Sequence, residues 1–591
     1  MERILILMAF DGIVTKTVTK ELQNIINYKI DKIYEPDKNS IILGLYGKGE
    51  NLNLLLCISS NNCRIHLTKH QQKNPETAPN FCMLLRKHIL GYRIKRISTV
   101  DLERIIFIDL ENTENPNKPL NKKLIIELMG RHSNIILTDK NEFIIDSLRH
   151  TNIEHNANRD IYPTAKYIFP NTSKYSFLEL KNFDDFYNKI EPNLTEFIVN
   201  QSQDISNLDI SNFNVEKIVS NNFNGISISF IKNVINILSI NNLSKDALNK
   251  IYLKINQIIN SNYYNLSIID NKDFFLYDSK EATTEYYINY SLDDFYYNKE
   301  HSELFKNFRN SMLTLILETL KKYEKRLQNI DNKLLECDNK DKFRLYGELI
   351  TSNLYRIPNK NMESIQLENY YNNNEIIEIP LDSKFSPSRN AKQYFKKYSK
   401  LKNALELVNI QKQETIQDIN YLESIIYEIN SCTDTSDLDE IYEEISESAL
   451  FANRLKKDKK NKISKKHKPK SLTKNKDAHF NPLKYVINGY TIFVGRNNKE
   501  NDYLTCKFAK KTDIWFHTKD VPGSHIILKV SPNEVISEEI IVETAKLAVK
   551  HSKAKESSHT PVDYCKVLNV KKPSGSKPGF VIYTNNKTVY V

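Results

Sequence analysis

LTLILETLKKYEKRLQNIDNKL, residues 313 to 334, decides the architecture. From Leu313 its apolar residues fall at Ile316, Leu320, Tyr323, Leu327, Ile330 and Leu334. This alternating spacing of three and four keeps one seam of a helix facing a partner helix. A second seam runs through Tyr398, Leu401, Leu405, Val408, Ile419, Leu422, Ile426 and Ile429, interrupted where Lys412 and Thr415 take seam positions. Both seams lie in one chain, and the residues between them can turn it around. The pattern therefore predicts a long antiparallel coiled-coil arm over 290–435, each helix reaching roughly 40 to 60 Å at about 1.5 Å per residue. Two core helices of a compact bundle are the competing reading. An arm would separate a body before it from a body after it.

A chain of 591 residues exceeds what one core supports. Its 84 Lys plus Arg against 73 Asp plus Glu leave +11, an excess that permits nucleic-acid binding without demanding it. The seven cysteines are scattered, odd in number and without a CxxC pair, the pattern of reduced intracellular thiols. The apolar run at residues 4–10 is too short for a signal segment or a membrane span. A soluble cytoplasmic protein with no membrane partner is expected, and Met8 is a candidate start.

Residues 8–174 alternate short helical and strand patterns, which predicts an α+β body on an antiparallel sheet. TVTKELQNIINYKIDKIYEP reads as a capped helix running into a strand, and SIILGLYG and NLLLCIS as a hairpin through KGEN. FCMLLRKHILG reads as a helix stopped by Gly91, with Arg86, Lys87 and His88 on a solvated face. RIIFIDL, KLIIELM, NIILTD and FIIDSL read as strands. In the connection at 127–139, Arg131 and His132 follow a glycine, where Arg131 and backbone N–H groups could cradle a phosphate; an ordinary hairpin is the alternative. Residues 175–275 show short helical patterns. Within them Gly225 and Ser227 precede an amphipathic segment, either as a phosphate-binding helix start or as a plain cap.

The arm is interrupted at about 337–389 by a helix carrying Gly347 and ended by Pro358, then by a strand and the capped return. Residues 450–478 read as a Lys-dense linker, expected from composition to be disordered yet able to bind RNA phosphates. The closing body, 479–591, contains DIWFHTKDVPGSH at 513–525. There Trp515, Phe516, His517, Lys519 and His525 surround a Pro-Gly turn, which suits a base-stacking, phosphate-contacting RNA surface. A core strand is the alternative for Trp515 and Phe516. The two histidines lack further ligands at familiar spacing, so no metal is expected. KKPSGSKPG, with Lys571, Lys572 and Lys577, reads as a mobile, basic, phosphate-contacting loop.

AFDGIVTK (9–16), FCMLLRKHI (81–89), LERIIFI (102–108) and ELMGRHSNIILTD (127–139), in that order, resemble the N-terminal domain of the NFACT family of ribosome quality-control proteins, formerly described as fibronectin-binding proteins. DIWFHTKDVPGSH, SKAKESS and VKKPSGSKPGF resemble that family's NFACT-R domain. The resemblance implies an α+β multidomain chain. Its parts are a glycosylase-like N-terminal domain turned to tRNA recognition, a small helix-hairpin-helix-like domain, the coiled-coil arm on the large ribosomal subunit, and a C-terminal α+β RNA-binding domain. It implies tRNA-binding roles for Asp11, Glu103, Arg104, Glu127, Met129, Arg131 and His132, with Glu103 standing where the family has an aspartate. It implies RNA-binding roles for Trp515, His517, Lys519, His525, Lys571, Lys572 and Lys577. The implied partners are the obstructed large subunit, ribosomal RNA, alanyl-tRNA and a small RNA-binding helper protein, with no cofactor. Bond formation then belongs to the ribosome, and the chain contributes positioning. DNA glycosylase chemistry is not expected, since an N-terminal Pro nucleophile and a CxxC finger are missing. A surface adhesin that binds fibronectin is the alternative from another class.

Overall fold

The computed structural model describes residues 10–112, 120–151, 159–170, 173–201, 214–242, 244–281, 284–358, 362–451, 480–532 and 534–591. The Lys-dense segment and the candidate start at Met8 lie outside these residues. The chain divides into two compact units between Glu303 and Leu304.

In the first unit, α1 (Gly12–Glu21) begins earlier than the TVTKEL pattern placed it, because Asp11 caps it. The Asp11 Oδ1 accepts from the Ile13 and Val14 N–H groups at 3.1 Å each, satisfying two of the donors a helix start leaves open. Strands β1 (Lys29–Asp37), β2 (Ser40–Gly47), β3 (Glu50–Cys57) and β4 (Arg64–Leu67) precede α2 (Asn80–Ile89). Then follow β5 (Arg93–Thr99), β6 (Ile105–Asn112), β7 (Leu120–Glu127), β8 (Asn134–Asp139) and β9 (Ile144–Ser147). They form one antiparallel sheet in the order β4-β3-β2-β1-β5-β6-β7-β8-β9. Leu124, Ile126, Ile135 and Leu137 join the main core with α1, while Ile105, Ile125 and Ile136 face a second cluster with Ile161 and Tyr167. Both faces of this end of the sheet are covered, which is why its strands are apolar without a break. Arg86 leaves the solvated face expected of it. Its Nε and Nη2 donate to the Ile33 carbonyl at 3.0 and 2.7 Å, fastening α2 to β1.

Residues 175–275 do not build a core of their own. Helices α3 (Phe183–Gln201), α4 (Val215–Asn222), α5 (Ile228–Ile237) and α6 (Lys245–Ile259) send Phe186, Val219, Ile231 and Ile251 into the cluster that also contains α1 and the sheet. An unexpected hairpin, β10 (Tyr263–Ile269) with β11 (Asp273–Ser279), contributes Phe274 and Phe275 to the same cluster.

The first seam lies on α7 (Tyr287–Asp338), which passes from the first unit into the second. After it come α8 (Lys340–Ser352), the hairpin of β12 (Ser364–Asn369) and β13 (Glu375–Pro380), and α9 (Pro387–Ser431), which carries the second seam. Ile316 packs with Leu422, Ile425 and Ile429. Arg309 Nη2 donates to Asn430 Oδ1 at 2.8 Å, and Asp331 meets Lys412 at 2.8 Å. Partners descend α9 as they ascend α7, so the two helices run antiparallel. The break in the second seam is thus answered across the pair, with Lys412 set against a carboxylate on the facing helix. Helix α8 and the hairpin close over a separate small core around Leu349, Ile350, Ile379 and Tyr394. Helix α8 stops at Ser352, short of the Pro358 that was expected to end it.

Helix α10 (Thr435–Glu447) turns back onto α9 through Leu438, Ile441 and Ile445. Beyond it lie β14 (Leu483–Ile487), β15 (Tyr490–Val494), α11 (Asn498–Tyr503), β16 (Ile514–Thr518), β17 (Ile526–Leu528) and α12 (Glu538–Lys550). The chain closes with β18 (Pro561–Lys566), β19 (Val570–Lys571), β20 (Ile582–Tyr583) and β21 (Lys587–Tyr590). The main sheet here runs β14-β15-β17-β16-β18-β21, with α12 packed on one face. Among the described residues, no helix is long and apolar enough to cross a membrane.

Two acids are buried where α9, α10 and α11 meet. Glu444 accepts from the Tyr421 hydroxyl at 2.9 Å and from Asn498 Nδ2 at 3.3 Å, and Glu428 is 5% exposed. Burial raises both carboxyls above their ordinary value, and the Glu444 charge raises Glu428 further. The folded state therefore holds these protons more tightly than the unfolded chain does. Their contribution to stability is greatest at acid pH and falls as pH climbs above the ordinary carboxylate value of 4.5. Glu428→Gln should remove most of that slope and slow hydrogen exchange in α10 at neutral pH. An unchanged exchange profile across pH would contradict the assignment.

Candidate nucleic-acid interface

Three backbones cross beside Asp11. The Gly12 N–H donates to the Gly225 carbonyl at 2.8 Å. A Cβ on Gly12 or Gly225 would lie 1.8 or 1.9 Å from the Leu102 carbonyl oxygen, and Gly225 has a φ of +69°. Only glycine fits at either point. The crossing presses the turn that carries Glu103 and Arg104 against the starts of α1 and α5. The other Asp11 oxygen, Oδ2, accepts from Ser227 Oγ at 2.9 Å, while Ser227 Oγ accepts from the Phe230 N–H at 3.1 Å. The start of α5 is thus capped by its own serine and faced by a carboxylate. Of the two readings of Gly225 and Ser227, the plain cap is the one the hydrogen bonds match.

Asp11, expected among the tRNA-binding residues, is 4% exposed with both oxygens engaged, so its carboxylate is spent on joining the starts of α1 and α5. Burial pushes its carboxyl up to about 6, against the pull of the backbone N–H groups, Ser227 and the Arg104 charge. Glu103 and Arg104 are half-buried neighbours. Burial raises the Glu103 carboxyl, while the charges of Arg104 and Lys174 lower it. Lys174, which sequence reasoning missed, donates to the Ser220 carbonyl at 2.7 Å, and its ammonium is held low by burial and then by Arg104. The Arg104 carbonyl accepts from the Leu128 N–H at 2.8 Å, joining this turn to the 127–139 connection.

Glu127 does not face outward with that connection. Expected among the tRNA-binding residues, it is 1% exposed, paired with Arg159 at 2.7 Å and hydrogen-bonded by the Tyr167 hydroxyl at 2.9 Å, and so braces the interior. Met129 is partly buried against the second cluster. Arg131 and His132 are exposed on a short helical turn, 2.9 Å apart between Arg131 Nε and His132 Nε2.

In the second unit, the period-two alternation of β16 sends Phe516 toward α12 and Trp515 to the opposite face. Trp515 is 1% exposed among Leu504, Ile527 and Cys565. It lies parallel to His517 with ring centres 5.7 Å apart and edge-on to His525 at 5.4 Å. Of the two readings the sequence left for Trp515 and Phe516, the core strand is the one their packing matches. His525 is buried, with Thr505 Oγ1 at 2.8 Å from its Nδ1. Burial drops its imidazole to about 3 and lowers His517 as well, so both rings are neutral near pH 7. Lys519 and Lys571 are exposed. Lys572 pairs with Asp502, and Lys577 pairs with Asp418 of α9 while lying 5.2 Å from the centre of the Tyr421 ring. The basic loop is thus pinned, and two of its three lysines are neutralised, in place of the mobile, freely basic loop expected.

The model of the NFACT N-terminal and middle domains matches residues 11–466. This chain belongs to the NFACT family. A second model, the NFACT protein RNA binding domain, matches residues 479–584. The Rqc2 homolog RqcH of Bacillus subtilis (strain 168) is 34% identical, covering 99% of this chain and 98% of that protein. The Rqc2 homolog RqcH of Streptococcus suis (strain 05ZYH33) is 32% identical with the same coverage. A solved structure of the C-terminal part of the fibronectin/fibrinogen-binding protein from Streptococcus suis is 30% identical, covers 49% of this chain and 94% of its own, and has a TM-score of 0.36, too low to carry an argument. Asp11, Glu103, Arg104 and the 127–139 connection fall within the NFACT N-terminal match, and Trp515 to Lys577 within the RNA binding domain match.

The crossing in the NFACT N-terminal part makes a prediction about Asp11. Its folded-state value of about 6 against the ordinary 3.8 means that stability falls as pH rises between the two, by about 3 kcal/mol at about 1.36 kcal/mol per unit. Asn keeps the cap without the charge. Asp11→Asn should therefore protect the Ile13 and Val14 amides at pH 7 at least as well as Asp does, whereas Asp11→Ala should lose about 1 kcal/mol with the cap. Hydrogen exchange at those two amides decides it.

Proposed function

We propose that the chain binds large ribosomal subunits obstructed by a nascent chain still on tRNA. There it positions alanyl-tRNA so that the ribosome adds a C-terminal alanine tail that marks the chain for degradation. The observation that carries this reading is the Glu103–Arg104 pair, held half-buried on a turn that two glycines lock in place. A guanidinium at a fixed point can grip a phosphate or a base edge through two parallel donors, which a free surface arginine does at greater entropic cost. Arg131 and His132 are exposed on the connection tied to that turn and extend the same surface. In this reading the first unit is a glycosylase-like sheet with helix-hairpin-helix-like α3–α6, and the antiparallel pair α7–α9 is a coiled-coil arm that reaches the large subunit. The second unit's RNA binding domain match supports contact with ribosomal RNA. The work takes place in the cytoplasm.

The test is to isolate the protein from cells with its bound material and sequence the RNA. Enrichment of alanine tRNA together with large-subunit RNA is the expected result. Recovery with the cell wall and without either RNA would overturn the reading in favour of a surface protein.

A further inference from the structure

Within the second unit, a cavity of about 410 Å³ opens between α9 and the Trp515 face of the C-terminal sheet. Sites for small organic groups occupy roughly 300–1,000 Å³. The walls include Tyr421 of α9, His517 and His525 from the sheet side, and Phe580 and Tyr583 from the closing segment. Trp515 lines it as well, and Trp515 Nε1 is buried with no hydrogen-bond partner among the described residues. A buried indole N–H ordinarily finds an acceptor, because leaving it unpaired costs free energy.

The lining also says what kind of acceptor enters. His517 and His525 carry no charge near pH 7, and the Lys577 ammonium is committed to Asp418. The carboxylates at the walls are Asp520 and Glu423, the latter 3.4 Å from Lys553. A phosphate would meet acids and no available cation. An ammonium ligand would bring no acceptor for the indole. A neutral planar ring with acceptors on its edge satisfies both conditions, and flat rings stack on His, Phe and Tyr regardless of sequence.

We propose that this cavity takes an unpaired nucleobase of single-stranded RNA, its ring against the aromatic walls and an edge acceptor on Trp515 Nε1. The inference rests on the RNA-binding reading above and specifies which part of the RNA enters the second unit. The sugar-phosphate backbone stays outside, near the exposed Lys519, which adjoins the wall residue Asp520.

Trp515 is the single tryptophan of the chain, so its emission reports this site alone. The full chain is titrated with a short single-stranded RNA of mixed sequence and with an abasic strand of equal length and charge. The base-bearing RNA should shift Trp515 emission saturably, and the abasic strand should bind without the shift. Phe580→Ala, on the exposed rim, should weaken the base-bearing RNA about tenfold and leave the abasic strand unaffected. Trp515→Phe, read by anisotropy of labelled RNA, should weaken the same RNA about fivefold with an unchanged salt slope. An equal emission shift by both strands, or equal weakening of both by Phe580→Ala, would overturn the cavity assignment and leave RNA binding standing. Binding of neither strand would overturn both.

Discussion

On the function proposed above, Arg104→Ala should leave attachment to large subunits intact and cut recovered tRNA by about ten- to a hundredfold, with alanine tailing lost. The magnitude is that of one charge-assisted hydrogen bond, about 1.5–3 kcal/mol, removed from a residue whose turn is already immobilised by the Gly12–Leu102–Gly225 crossing. Because that entropic cost is met during folding, the loss should appear in tRNA affinity. Arg104→Lys keeps the charge and loses the fork, so it should resemble Ala more than wild type. Glu103→Ala should be damaging through its charge on Arg104, while Glu103→Asp should be tolerated or improved. A plain surface ion pair worth under about 1 kcal/mol predicts near-normal tailing in all of these. Measuring bound tRNA and tail length on isolated obstructed subunits separates the two outcomes.

Removing residues 339–398 and joining α7 to α9 through a short flexible loop should reduce co-sedimentation with large subunits to background. This deletion takes away the small core of α8 and the β12–β13 hairpin, which stands apart from the rest of the unit's packing. The base of the helix pair has to stay. Asp418 holds Lys577, Ser424 accepts from Asn498 Nδ2 at 3.1 Å, and α10 packs on α9, so a deletion of the whole pair would strip the C-terminal sheet of its neighbours. Hydrogen exchange over β16–β18 should be unaltered in the shorter deletion. Full sedimentation with large subunits would show that the tip is not what engages them.

The helical seams were legible because seam residues repeat on one face, and Ile316, Ile330, Val408, Leu422 and Ile429 are among the buried ones. The strands of the first unit were legible for the same kind of reason, as apolar runs bounded by turns. What could not be read was which side of a surface motif faces inward. Glu127 and Trp515 stand in motifs that look exposed, yet each turns into the protein because its partners, Arg159 and Tyr167 for one and Ile527, Cys565 and Tyr583 for the other, arrive from later in the chain. The neutralisation of Lys577 was equally hidden, since Asp418 lies 159 residues earlier. Lys174 gave no local signal at all and joins Arg104 only through the fold. That the helices of residues 175–275 share the core of the sheet was likewise not legible, because short amphipathic helices can bury their faces on a sheet as well as on one another.

The glycine crossing also bears on what happens when synthesis of this protein itself is cut short. Strands β1 to β9 follow one another in space almost as they do in sequence, so the sheet can form from local hairpins as the chain emerges. The turn bearing Arg104 is tied to the sheet by the Leu128 N–H, but it gains its last neighbour only when residue 225 has been made and Gly225 lies over the Leu102 carbonyl. A copy ended before residue 225 would thus display the sheet with this turn uncovered on one side. On the function proposed above, such fragments, the very products that stalled translation releases, would be poor competitors for tRNA against the complete protein.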